Sequence, residues 1–218
     1  MGKPLRQQRR GKGTPRYRFP SHRFRGKIEY FKGEGTVVDI LHDRARKPPV
    51  AVVDVGGRRK LMIASAGMSV GQKIACRPLG EIPEGLKIYN IELHYGDGGR
   101  LCRTSGSSAT VIGHDRGKSM IMLPSKQKKT LVSNCRAFIG TVAGFGRHEK
   151  PFKKAGSRYY AKKAAGKFYP RTSGIAMNAV DHPLGGSANP GKHLTVSRHM
   201  PPGKKVGSIS PRRTGKRK

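Results

Sequence analysis

Few residues of this chain have the types and spacing to do chemistry. They are the run Gly113-His114-Asp115-Arg116-Gly117-Lys118-Ser119, the neighbours Asp181 and His182, and the cysteines Cys76, Cys102 and Cys135. The first resembles a loop whose backbone N–H groups and lysine cradle a polyphosphate. Such a loop needs four residues between its glycines, and here three separate Gly113 from Gly117. Strand-like runs lie on both sides, so no helix N-terminus follows to hold an anion, and a tight turn is expected instead. Asp181 and His182 suggest an acid–base couple, but neighbours on an extended chain point to opposite faces. No Gly-x-Ser-x-Gly elbow accompanies them. The cysteines form no Cys-x-x-Cys pair and have no histidine at zinc-ligand spacing. Cys76 and Cys135 sit in strand-like runs, where a small apolar role is the default. No catalytic residue, metal site or cofactor is expected.

The elements that would position these residues are short strands. Residues 36–41, 49–55, 58–64, 72–77 and 87–93 are β-rich runs. Gly56-Gly57 joins the second to the third, with the freedom for positive φ that a two-residue hairpin needs. Five strands in this span predict a small closed barrel of the OB-fold type. Residues 109–112, 119–123, 129–132 and 137–142 repeat the style and predict a second, SH3-like barrel. Gly96, Asp97, Gly98 and Gly99 are the natural joint between them. The expected organisation is mainly β: a basic N-terminal extension over 1–32, an OB-fold-like barrel over 33–90, an SH3-like barrel over 91–163 and a Gly-rich basic extension over 164–218.

Charge says what such a scaffold would meet. The 218 residues carry 46 Lys+Arg against 12 Asp+Glu, a formal net charge of +34, and 34% are hydrophobic. That apolar fraction is below the roughly 45–50% of ordinary globular domains, and self-repulsion opposes compaction unless a polyanion intervenes. Residues 1–32 hold net +10 and residues 151–218 net +15, leaving +9 for the longer middle. Aromatics follow the charge: Tyr17, Phe19, Phe24, Tyr30 and Phe31 near the start, Phe152, Tyr159, Tyr160, Phe168 and Tyr169 near the end. Cations interleaved with rings suit phosphate neutralisation plus stacking on unpaired bases. No apolar run approaches the roughly 18 residues of a membrane span. Residues 1–25 lack the apolar core of a signal peptide, and an odd, dispersed set of cysteines fits a reduced compartment. A secreted disulfide scaffold, a membrane protein and an acidic solvating protein are excluded; a nucleic-acid partner is favoured.

The run Gly174-Ile175-Ala176-Met177-Asn178-Ala179-Val180-Asp181-His182-Pro183-Leu184-Gly185-Gly186 closely resembles the signature near the C-terminus of the ribosomal protein L-two family. Gln8-Arg9-Arg10-Gly11-Lys12-Gly13, Asn134-Cys135-Arg136-Ala137-Phe138-Ile139-Gly140, Pro202-Gly203-Lys204-Lys205-Val206-Gly207 and Arg213-Thr214-Gly215 agree in order along the chain. Ala179 and the short N-terminal arm resemble the archaeal and eukaryotic branch. Two departures stand out: Thr172-Ser173 precedes Gly174 where the family usually has Val-Arg, and the loop Ser187-Ala188-Asn189-Pro190-Gly191 is short and poor in glycine.

The resemblance implies an OB-fold followed by an SH3-like barrel, with extensions threading into large-subunit ribosomal RNA. It implies a cytoplasmic, ribosome-bound structural protein that helps assemble the peptidyl-transferase region. Its partners would be large-subunit rRNA, other ribosomal proteins and the small subunit across a bridge, with no membrane and no small-molecule substrate. Expected RNA contacts in the first extension are Arg9, Arg10, Lys12, Arg16, Arg23 and Arg25, with Arg136 in the second barrel. In the signature region they are Arg171, Met177, Asn178, Asp181, His182, Gly185 and Gly186. Beyond it come Lys192, Lys204, Lys205, Arg212 and Arg213. The position matching His182 is long discussed in the family in connection with peptide-bond formation; a placing role is expected here, because a general base must reach its proton at hydrogen-bond range. The competing expectations are a free OB-fold protein coating single-stranded nucleic acid and a hydrolase using Asp181 and His182. The first leaves the ordered matches unexplained, and the second lacks a nucleophile.

Overall fold

A computed structural model describes residues 2–186 and 194–213, with the side chain of His148 excepted. The chain divides into two compact units, one formed by residues 21–151 and the other by the two ends, 1–20 and 152–218.

The first unit is mainly β. Strands β1 (Glu34–Leu41), β2 (Val50–Val55), β3 (Arg58–Ile63) and β4 (Lys73–Ala75) form one antiparallel sheet in the order β3-β2-β1-β4. Gly56 and Gly57, at φ 57° and 79°, make the tight β2–β3 turn. Strands β5 (Arg77–Pro78), β6 (Lys87–Tyr89), β7 (Ala109–Asp115), β8 (Lys118–Met122), β9 (Lys128–Val132) and β10 (Arg136–Ile139) form a second antiparallel sheet, ordered β5-β10-β6-β7-β8-β9. Among the described residues neither sheet closes on itself by strand pairing. The phosphate-loop lookalike is the β7–β8 hairpin, with Arg116 and Gly117 at φ 40° and 76°.

The run 87–93, expected to finish the first barrel, contributes its strand to the second sheet instead: β6 pairs with β7 and β10. The glycine-rich stretch 96–99, expected as a joint, is accordingly a loop inside that sheet, between β6 and β7. Alternation explains why. Successive strand residues point to opposite faces, so Ile88 and Ala137 enter the core of the second sheet with Leu79, Ile82, Val111 and Ile121. Tyr89 and Phe138 enter the other core with Val37, Val50, Val53 and Met62. Strands β6 and β10 are a wall shared by two cores. The Tyr89 hydroxyl donates across it to the Ile63 carbonyl at 3.1 Å.

Residues 21–32 are also part of this unit rather than a free extension. Ile28 bridges to Leu61, and Ile28, Tyr30 and Phe31 are buried. Tyr30 stacks on Phe138 with centroids 5.3 Å apart. Two aromatics read as base-stacking candidates are therefore core residues. An aromatic beside a cation fits a sheet edge or an RNA surface equally, and only the packing partner separates the two.

The unit of the two ends is not uniformly extended. It holds helix α1 (Arg6–Gly11), helix α2 (Ala155–Ala164) and a short parallel pair, β11 (Thr195–Val196) with β12 (Ser208–Ile209). Helix α2 falls within the span expected to be the SH3-like barrel. Neither helix buries a residue, so both lack the apolar stripe that makes a helix visible in sequence. The helix formers Ala, Lys and Arg that make up much of α2 supply it instead. No helix among the described residues is long and apolar enough to cross a membrane.

Candidate nucleic-acid interface

The signature segment is a chain of turns folded on itself. The N–H groups of Met177 and His182 donate to the carbonyls of Gly174 and Asn178, and Gly186 donates to the Met177 carbonyl at 2.9 Å, closing the loop. Gly185 is buried at the closure, where a Cβ would lie 2.5 Å from the Met177 carbonyl oxygen. Gly174 faces the His182 ring, and a Cβ there would fall 2.6 Å from Nδ1. These two glycines are required by close approach rather than by unusual torsions.

His182 Nδ1 accepts the Leu184 N–H at 3.0 Å. In the neutral ring this leaves the proton on Nε2, which then acts as a donor. Asp181 turns the other way, to Lys3 Nζ at 3.2 Å. Among the described residues no hydrogen bond joins Asp181 to His182, so the pair is not an acid–base couple.

Helix α1 brings Arg6 and Arg9 to one face through their i, i+3 spacing. With Arg171, Met177, Asn178 and His182 they line a cleft of about 440 Å³. Arg6 is held in place there: its guanidinium lies 4.8 Å over the Phe168 ring and reaches toward the Thr172 carbonyl at 3.5 Å. Arg16 sits 4.9 Å over the same ring, and Arg158 lies 5.1 Å over Tyr169. Such contacts fix long cationic side chains while leaving the charge in place. Sequence reasoning passed over Arg6, although it sits in the same basic run as Arg9.

Other expected contacts are distributed more widely. Arg10, Lys12, Lys204, Lys205, Arg212 and Arg213 are exposed. Arg23 and Arg25 belong to the β-rich unit, where Arg25 Nε approaches the His42 carbonyl at 3.5 Å. Lys192 and the short loop 187–191 lie outside the described residues.

Arg136 has a different environment. Its Nε and Nη2 donate to Glu92 at 3.1 and 2.8 Å, and its backbone N–H donates to the same carboxylate at 2.9 Å. The guanidinium lies over Tyr30 and Tyr95 at 4.8 and 5.1 Å. Hydrogen bonding to fully buried Glu92 raises the Arg136 pKa above its ordinary value. Asp43 anchors the β1–β2 connection in a similar way. Burial would raise its carboxyl, but the N–H groups of Ala45 and Arg46 and the Arg46 guanidinium outweigh burial and hold it below the ordinary 3.8. Burial pushes the Cys102 thiol up to about 11, so it is an unreactive thiol.

Composition completes the picture. The unit of the two ends has 23 Lys and Arg against one acidic residue, Asp181; residues 21–151 also have 23, but against 11 acidic residues. These features define a β-rich protein joined to a basic unit suited to a polyanion. Residues 72–206 match the family described as Ribosomal Proteins L2, C-terminal domain. The large ribosomal subunit protein uL2 of Methanothermobacter thermautotrophicus is 51% identical to the chain, with the whole of both chains covered. Its counterpart from Methanococcus aeolicus is 49% identical over the same full coverage. The chain belongs to the ribosomal protein L2 family.

Proposed function

We propose that the chain is a structural constituent of the large ribosomal subunit that binds large-subunit rRNA chiefly through the unit of its two ends. On this reading the protein carries no catalytic step. It works on cytoplasmic ribosomes near the peptidyl-transferase centre, and it supports subunit assembly and association through other ribosomal proteins and the small subunit. The two sheets are read as an OB-fold-like and an SH3-like barrel that set orientation. The observation that carries the proposal is the 23-to-1 ratio of basic to acidic residues in a unit whose buried hydrophobics, among the described residues, are Leu5 and Val206. Fixing a chain costs roughly 1–2 kcal/mol of backbone entropy per residue. A unit with so little core needs an external offset, and counterion release from phosphate contacts is one.

The test is binding of a large-subunit rRNA transcript by the full chain and by a chain lacking residues 164–218, across a salt series. The deletion removes 11 Lys and Arg, and affinity at moderate salt should fall by about three orders of magnitude with a shallower salt slope. Equal binding by the two chains overturns the proposal.

A further inference from the structure

We infer that the cleft between α1 and the signature turns receives one unstacked nucleotide of the partner RNA, its phosphate toward the arginines and its base toward Asn178 and His182. This rests on the RNA reading above and adds to it a defined subsite.

Four observations support the assignment. The cleft, about 440 Å³, falls in the range of small-ligand sites, roughly 300–1,000 Å³. It is too small for a duplex and large enough for one nucleotide. Its cations come from two segments: Arg6 and Arg9 from α1, and Arg171 from the stretch leading into the signature. Arginine forks suit phosphate oxygens, and Arg6 is already oriented by Phe168 and Thr172. The remaining wall carries groups that read base edges rather than charge. His182 presents Nε2–H because Nδ1 is taken by Leu184, and Asn178 offers an amide with both donor and acceptor. Asp181, which also lines the cleft, is offset by Lys3 at 3.2 Å. Its carboxylate turns a phosphate away from this wall while accepting from a base N–H. Met177 adds an apolar surface beside them. A duplex commits its Watson–Crick edges to pairing, whereas an unpaired nucleotide can present both its phosphate and its base edge to a cleft.

The test uses the full chain and a large-subunit rRNA transcript containing 4-thiouridine. Irradiation and peptide mapping should place a cross-link on the peptide that contains Met177, which locates the nucleotide. A transcript made abasic at that nucleotide should bind roughly tenfold more weakly, the size expected for loss of one recognised base. Asn178→Ala and His182→Ala should each weaken binding to the intact transcript and have little effect on the abasic one. Arg171→Ala should weaken both equally. The abasic comparison changes only the RNA, so it does not depend on how any variant folds. If the intact and abasic transcripts bind alike, or no cross-link falls on that peptide, the cleft assignment is overturned while the RNA-binding reading stands. If the full chain fails to bind the transcript at all, both are overturned.

Discussion

The two units of this protein carry the same number of cationic residues and use them in opposite ways. Residues 21–151 set 11 carboxylates among their 23 Lys and Arg, and bury 23 hydrophobic residues in two cores that share β6 and β10. The most deeply placed charges there have internal partners, as in Glu92 with Arg136 and Asp43 with Arg46. The ends have one carboxylate, which pairs with Lys3, two buried hydrophobics among the described residues, and three arginines, Arg6, Arg16 and Arg158, seated on aromatic rings. A guanidinium held by a ring keeps its charge for a ligand, whereas one held by a buried carboxylate has spent it inside the protein. Core packing and cationic charge without acidic counterparts are thus concentrated in different parts of one chain.

That contrast can be broken by experiment. The largest effect on stability should come from Phe138→Ala, which removes a ring packed against Tyr30 and Tyr89 at 5.3 and 5.7 Å. A loss of about 3–5 kcal/mol is expected in denaturant unfolding. Next, Glu92→Ala leaves Arg136 without its carboxylate and should cost about 3 kcal/mol. The salt slope of rRNA binding at a temperature where the variant is folded should stay unchanged. A flattened slope would mean that Arg136 belongs to the binding charge after all.

Substitutions in the unit of the ends should do the reverse. Gly185→Ala forces a Cβ against the Met177 carbonyl and should open the signature loop, lowering rRNA affinity roughly tenfold. The unfolding midpoint of the β-rich unit should remain unmoved, because the substitution alters only the packing of the other unit. His182→Ala should weaken binding of the intact rRNA transcript only a few-fold, and a fall in peptide-bond formation by reconstituted subunits would show that the ring also steadies RNA near the reacting centre. Unchanged peptide-bond formation would confine His182 to holding the turn and the cleft.

The smallest effect concerns acid. Asp43 and Asp97 both have carboxyls held below the ordinary 3.8. For Asp97 burial acts upward but is outweighed by the N–H groups of Gly99, Leu93 and His94. A folded pKa below the unfolded one gives stability that is complete above the unfolded value and is lost as pH falls through the folded one. Thermal unfolding followed downward from pH 5 should show the β-rich unit weakening below about pH 4. Asp43→Asn and Asp97→Asn should flatten that decline.

Much of the fold was legible in the chain because its strands obey local rules. Alternation, β-branched residues and turns such as Gly56-Gly57 and Arg116-Gly117 marked nine of the ten strands of the two sheets to within a few residues; the run 72–77 merged β4 with β5, which belong to different sheets. Pairing partners were less legible. Residues 87–89 read as a strand from either side, and their two faces serve two cores, so a one-dimensional pattern could not say which sheet holds them. The helices α1 and α2 escaped notice because a helix without a buried face has no periodicity to detect. In the site, the signature announced itself as a run of residues. The cleft did not, because Arg6 and Arg9 reach it from more than 160 positions away in sequence.

By itself, the sequence determined the β character of the middle, the polarity of charge toward the ends and the family to which the chain belongs. These are properties of composition and local order, and they survive any rearrangement of contacts. Tertiary structure decided which cations are available. Arg136 and Arg171 are the same residue type, yet one meets Glu92, 44 positions away, and the other lines an open cleft. A hydrogen-bonded ion pair exists only at separations near 3 Å, and the chain must fold before any residue can know its neighbour at that distance.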